Sequence, residues 1–371
     1  MAYRIENAFI TRLKVDGSCS PHTVSMNATA IEVNPYSGST GCGLAANNIA
    51  YSSFTDFGSL LTGNRTYYMG TIGSTLYALP SNNGRIRESS NGGSTWSLSG
   101  LQNQFSQNET VSVQAEPIWE SNRVLLIDGT DSNNFIMAWD GSSTNFTQPV
   151  SGTSTLSQIE YFQKVGSYYY VSDFAGPTER STSLTSGWAT IGSDGPPYWF
   201  TLSDGTILYN EGYDIYRTDD DFATTPDRIN NDEVFSGQLY FTAAASDGDS
   251  NWLGIAGGTN ANYKKFSTND GVTWANIKLT ATGDTENIGS GFGNSQIVSR
   301  GGKWIWLDTV NKKLLSFSGT PTATPTLTTE YDFSDLSDTV NNLYTMNFAG
   351  NTLYITGQYD SNYGYFKFDL T

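Results

Sequence analysis

Apolar residues along the chain come in short runs, most of them four to eight residues long, each interrupted by Gly, Asn, Asp or Ser. Runs of that length suit strands and are too short for packed helices. They recur in sets. Residues 66–69, 75–79 and 84–89 form the first clear set, and 124–127 with 134–139 the next. Further sets are 159–162 with 168–172, 198–201 with 206–209, 239–243 with 252–256, and 296–299 with 303–308. The last comprises 343–348, 352–357 and 363–369, which brings the count to seven.

A second pattern marks the corners between strands. Ser89-Ser90-Asn91-Gly92-Gly93-Ser94-Thr95-Trp96 and Ser267-Thr268-Asn269-Asp270-Gly271-Val272-Thr273-Trp274 share the order Ser-x-Asn-x-Gly-x-Thr-Trp. Ser and Asn can bond local backbone groups, Gly can take a positive φ, and the Trp can fold back over the sheet. Ser89, Asn91, Gly93 and Trp96, with Ser267, Asn269, Gly271 and Trp274, are therefore the expected structural corner residues, with both tryptophans buried. Degenerate echoes lie at 140–146, 181–188 and 217–222. Taking Trp96, Phe146, Trp188, Phe222 and Trp274 as equivalent gives spacings of 50, 42, 34 and 52 residues, which scatter about the length of a four-stranded blade.

The two corners resemble the Asp-box, or BNR repeat, of sialidase-like propellers. With the strand sets they predict a single all-β domain over residues 1–371, a seven-bladed β-propeller, with six or eight blades as the alternatives. The last set holds three strands and the unassigned residues 3–14 form one more, so an N-terminal strand is expected to close the last blade. Residues 18–64 break the rhythm and read as an irregular inserted segment with room for one or two strands at its start. Long ordered insertions tend to carry contacts. Tyr36, Tyr51, Phe54 and Phe57, set among polar residues, are its expected interface residues.

Composition narrows the partners. Lys and Arg number 19 against 36 Asp and Glu, a formal charge of -17, so nucleic acid is not expected. No run of about 18 apolar residues marks a membrane span, and the N-terminus lacks the apolar core of a secretory signal. Cys19 and Cys42 are too few for a disulfide scaffold and are compatible with reduced thiols or with one bridge.

The resemblance to sialidases implies an arginine triad, a Tyr-Glu nucleophile, an acidic proton donor and an early Arg-Ile-Pro element. Tyr3-Arg4-Ile5-Glu6 and Gly84-Arg85-Ile86-Arg87-Glu88 come nearest, and neither contains the proline. Arg123, Arg180, Arg217, Arg228 and Arg300 share no local motif, so no catalytic residue is assigned. Glu109, Glu116, Glu160, Glu211, Glu233 and Glu286 read as loop carboxylates rather than as a hydrolytic pair. His22 is the sole histidine, and with Cys19 and Cys42 it gives three soft ligands at best. The acidic runs 219–221 and 247–251 lack EF-hand spacing, so neither a metal nor a cofactor is assigned. Trp304 and Trp306, two apart on one strand, should face one blade interface. The candidate ligand contacts are Tyr198, Trp199, Tyr359 and Tyr363, at turns or strand ends.

The functional expectation is a non-catalytic structural or adhesion component of a bacteriophage virion, tail- or capsid-associated, built in the host cytoplasm and carried out with the particle. Its expected partners are other virion proteins, neighbouring copies or a cell-surface glycan. The alternative is a carbohydrate-binding or carbohydrate-hydrolysing propeller, a lectin or a glycoside hydrolase.

Overall fold

The computed structural model describes residues 22–26, 29–33, 49–56, 67–80, 84–101, 113, 117–128, 135–147, 159, 161–165, 167–172, 178–192, 199–201, 205–211, 214–219, 222, 224–229, 240–257, 263–279, 297–300, 302–309, 311–336, 340–349, 351–360 and 362–370. Seven sheets of antiparallel strands stand radially around one axis. The fold is a seven-bladed β-propeller.

We letter the strands of each blade a to d from the axis outward. Blade one comprises Tyr67–Ile72, Thr75–Pro80, Arg87–Ser89 and Ser97–Leu98. Blade two comprises Ile118–Glu120, Arg123–Asp128 and Phe135–Trp139, with Thr147 bridging Ala138 where strand d would lie. Blade three follows with Tyr161–Val165, Tyr168–Ser172, Thr178–Ser181 and Ala189–Gly192. Blade four uses Trp199–Thr201, Ile207–Glu211, Asp214–Thr218 and Asp227–Arg228. Blade five uses Tyr240–Ser246, Trp252–Gly257, Tyr263–Ser267 and Ala275–Asn276. Blade six uses Ile297–Arg300, Lys303–Asp308, Lys313–Ser318 and Thr328–Asp332.

Blade seven takes its first three strands from the C-terminal part of the chain, Val340–Ala349, Thr352–Tyr359 and Asn362–Leu370. Its strand d is Ile49–Asp56, which pairs antiparallel with Asn362–Leu370. An early strand thus closes the ring, as the incomplete last set suggested. The stretch 3–14 lies outside the described residues. The closing strand instead comes from within the segment read as an irregular insertion, where IAYSSFTD pairs along strand c of blade seven with one register shift. The same segment also holds a hairpin of His22–Met26 with Thr29–Val33.

The strand b sequences explain how the blades stack. Thr75–Pro80, Arg123–Asp128 and Lys303–Asp308 are buried at every position after the first. A strand covered by neighbours on both faces needs apolar side chains on both, so the usual alternation with polar residues disappears. The period of two survives as a division between seams. Val124 and Leu126 pack with blade one, whereas Leu125 and Ile127 pack with blade three. Likewise Trp304 and Trp306 face blade five beside Leu253 and Ile255, and Ile305 and Leu307 face blade seven. A one-residue slip of such a strand would exchange two tailored seams at once. Outer strands differ: Asp227–Arg228 and Ala275–Asn276 are exposed throughout.

Candidate functional site

The repeated corner joins strands c and d, in blade one at residues 89–96 and in blade five at 267–274. Its hydrogen bonds repeat atom for atom. Ser89 Oγ donates to Asn91 Oδ1 at 2.8 Å and accepts the Gly93 amide at 2.8 Å, while Asn91 Oδ1 accepts the Thr95 amide at 2.9 Å. In blade five Ser267 Oγ donates to Asn269 Oδ1 at 2.9 Å and accepts the Gly271 amide at 2.9 Å, and Asn269 Oδ1 accepts the Thr273 amide at 3.0 Å. Asn Nδ2 donates to the Thr hydroxyl at 2.8 Å in both corners. Gly93 and Gly271 have φ of 89° and 77°, the left-handed region that glycine enters at least cost. The motif therefore closes on itself, with little polar capacity left for a ligand.

Each corner is then met by the preceding blade. Tyr365 of blade seven donates its hydroxyl to Gly93 O at 2.8 Å and accepts Trp96 Nε1 at 3.4 Å. Tyr77 of blade one donates to Gly141 O at 3.0 Å in the blade two corner. Arg180 of blade three lies over Phe222, 5.6 Å from its centroid. Arg217 of blade four donates from Nε to Asp270 O at 2.6 Å and from Nη2 to Asp270 Oδ2 at 2.7 Å. Thr206 adds a hydrogen bond of 2.8 Å to the same carboxylate oxygen. Burial would lower the Arg217 pKa, but Asp270 and Asp219 outweigh it and raise it.

The densest polar constellation lies on the same rim, where the a–b hairpins of blades two and three meet. Glu120 accepts Arg123 Nε at 2.6 Å on Oε2, and on Oε1 it accepts Lys164 Nζ at 2.9 Å and the Tyr169 hydroxyl at 2.8 Å. Burial alone would raise the Glu120 pKa, yet the Lys164, Arg123 and Tyr169 hydrogen bonds prevail and hold it at about 2. A carboxyl fixed as the anion, with both oxygens occupied, is a poor proton donor near neutrality. With Glu120 in blade two and Lys164 and Tyr169 in blade three, the contact clamps the two blades together.

The arginines considered for a sugar-carboxylate triad are distributed instead of gathered. Arg123 bonds Glu120 within the blade two hairpin, Arg180 reaches across the seam between blades three and four, and Arg217 across that between four and five. Arg300 serves the seam between six and seven, with Nη2 on Asn351 Oδ1 at 2.9 Å and its guanidinium 4.8 Å from the Phe348 centroid. In the acidic loop 247–251, Asp247 Oδ1 accepts the amides of Asp249 and Asn251, and Oδ2 accepts Asn251 Nδ2. The loop's own donors take up that carboxylate. Among the described residues no group of three or more His, Cys, Asp or Glu could hold a metal ion.

The remaining expectations divide. Trp274 is buried at 6 % exposure, with Nε1 on Gly271 O at 2.8 Å. Trp96 is only half-buried, because it meets the blade seven edge through Tyr365 rather than sinking into its own corner; the expectation of burial fails there. Tyr51 and Phe54 occupy the closing strand opposite Phe368 and Phe366, so their backbone belongs to blade seven rather than to a protruding loop. Tyr36 and Phe57 lie outside the described residues, as do Tyr198, Glu109, Glu116, Glu160, Glu233 and Glu286. Trp199 begins strand a of blade four, opposite Tyr209. The half-buried Tyr359 packs edge-on to Phe366 at 6.2 Å, which places it against the seam with blade six. Tyr363 is half-buried on strand c of blade seven. Sequence reasoning missed the Glu120 clamp and the Arg217–Asp270 pair, whose partners are far apart in sequence and meet only once blade register is known.

No family model matches the chain, and neither does any curated protein. Solved propellers do match. YCF48 bound to a D1 peptide superposes with a TM-score of 0.58 at 13 % identity, covering 87 % of this chain and 99 % of that one. The extracellular domain of a one-component system from B. thetaiotaomicron gives 0.59 at 10 % identity, over 86 % of this chain and 39 % of that one. An ancestral GH74 enzyme gives 0.53 at 12 % identity, over 85 % and 47 %. The likeness is one of fold.

Proposed function

We propose that the chain is a non-catalytic recognition propeller, an adhesion or structural component of a bacteriophage virion mounted on tail or capsid. The observation that carries this reading is the use of the described charged groups. Glu120, Lys164, Arg180, Arg217, Asp270 and Arg300 bind across blade seams, so these charges serve the ring, and exposed carboxylates such as Asp140, Asp227 and Asp249 share the outer surface with hydroxyl and amide groups suited to adhesion. The two corners fit an Asp-box ancestry, in which the repeat supports the ring and takes no part in catalysis.

Fractionation of a producing culture on a density gradient tests this. The chain should sediment with particles and release no reducing ends from host polysaccharide. A free chain that cleaves polysaccharide would overturn the reading. Attachment should depend on the segment before the closing strand: deletion of 18–44 leaves Ile49–Asp56 in place and should impair incorporation or adsorption while the ring still folds. A cut reaching through 63 would remove strand d of blade seven and confound the two effects.

The second reading, a carbohydrate-binding or carbohydrate-hydrolysing propeller, draws support from the likeness to the GH74 enzyme. The named structures weigh toward it more than toward the virion. The reducing-end measurement separates a hydrolase from both a lectin and a structural part.

A further inference from the structure

On the rim opposite the c–d corners, blade seven carries a neutral aromatic and amide cluster. Strand a of this blade is irregular there, with register shifts between Val340 and Asn342 and between Leu343 and Thr345. Bulges of this kind re-aim side chains and concentrate beside binding sites. Asn342 pairs with Gln358, and Gln358 with Tyr363, so the three form one row across strands a, b and c. Asn342 Nδ2 donates to Gln358 Oε1 at 3.3 Å. Tyr344, displaced between the two shifts, lies beside Asn342. Burial chiefly, and the nearby Tyr363 phenol next, push the Tyr344 pKa up.

Alternation fixes which way this row faces. On strand b, Leu353 and Ile355 pack toward blade six, whereas Tyr354 packs toward blade one. Gln358 shares parity with Tyr354, and Tyr363 with Tyr365, so the row continues the blade one face beyond the buried Thr345–Thr356 pair. Asn342 is exposed, and Tyr344, Gln358 and Tyr363 are half-buried. Two phenol rings and two primary amides thus meet at a solvent-facing edge, beside the exposed turn residue Asp360.

We propose that Asn342, Tyr344, Gln358 and Tyr363 form a subsite for a neutral sugar of a surface polysaccharide. Primary amides supply both donors and acceptors to vicinal hydroxyls, and tyrosine rings stack on the apolar C–H faces of a pyranose. All four side chains are uncharged at neutral pH, while Asp360 and the net charge of -17 select against acidic sugars. The inference rests on the recognition role proposed above, with a glycan as the recognised surface.

The test is an array of neutral and acidic oligosaccharides probed with the full chain, followed by titration of the best neutral binder. Tyr344→Ala with Tyr363→Ala should weaken that binding at least tenfold, and exposed Asn342→Ala alone several-fold, with thermal unfolding of the single variant unchanged. Thr144→Ala, exposed on the opposite rim, should bind as the parent does. Neutral-sugar binding left intact in the Asn342 and double variants would overturn this subsite and leave the recognition role standing. Binding to acidic sugars alone, or to none, would also overturn it, while particle sedimentation judges the virion role independently.

Discussion

The corners of blades one and five carry the same eight-residue pattern and the same internal hydrogen bonds, yet they meet their neighbours by different chemistry. The blade one corner receives a phenol: Tyr365 bridges Gly93 and Trp96, and Trp96 stays half-exposed. The blade five corner receives a guanidinium: Arg217 grips the Asp270 carbonyl and carboxylate, and Trp274 folds inward onto Gly271. The difference teaches that the motif builds the turn, whereas the preceding blade decides how the turn is fastened. Of the three variable positions, the one between Asn and Gly carries the difference in fastening, Gly92 in one corner and Asp270 in the other.

The tryptophans should separate the two corners most widely. Trp274→Ala removes a buried indole and is expected to cost about 3 to 5 kcal/mol, whereas Trp96→Ala, at a half-exposed site, should cost about 1 to 3 kcal/mol in urea unfolding. Equal losses would erase the distinction. Next comes the charged fastening. Arg217→Met strands Asp270 against Thr206 and should cost about 2 to 4 kcal/mol, and a cycle with Asp270→Asn should recover part of it.

Acid should reveal the other clamp. The folded Glu120 pKa of about 2 lies below its ordinary 4.5, so the clamp stabilises the fold above about pH 4.5 and the contribution is lost as pH falls toward 2. Because Lys164 and Arg123 are about one-third exposed, solvent screening reduces this to roughly 1 to 2 kcal/mol. Glu120→Gln should flatten that part of the stability profile between pH 5 and pH 2. The smallest effect belongs to the neutral fastening. Tyr365→Phe keeps the ring and loses two hydrogen bonds, for about 1 kcal/mol.

The blades were legible because their strand b sequences bear burial on both faces. Runs such as VLLI at 124–127 and WIWL at 304–307 leave no solvent face, and glycine-rich corners punctuate them. The closing strand was harder to assign. IAYSSFTD adjoins a glycine-rich stretch, and its partner lies more than 300 residues away, so nothing local distinguishes it from a decorated loop. Tyr359 and Tyr363 show the same limit at the candidate site. Both flank one turn, but parity sends Tyr359 against Phe366 and Tyr363 to the opposite face beside Gln358. Asn342 and Tyr344 escaped notice because a bulge, invisible in the hydrophobic pattern, brings them into that row.

The central claim is recognition on a particle, and electron cryomicroscopy of the native assembly tests it most directly. Particles captured from a producing culture with an antibody to this chain should show a seven-bladed ring in fixed copy number on tail or capsid, held by the segment that precedes Ile49–Asp56. Capture of the chain alone, with no particle density and with sugar cleaved at the ring axis, would contradict it.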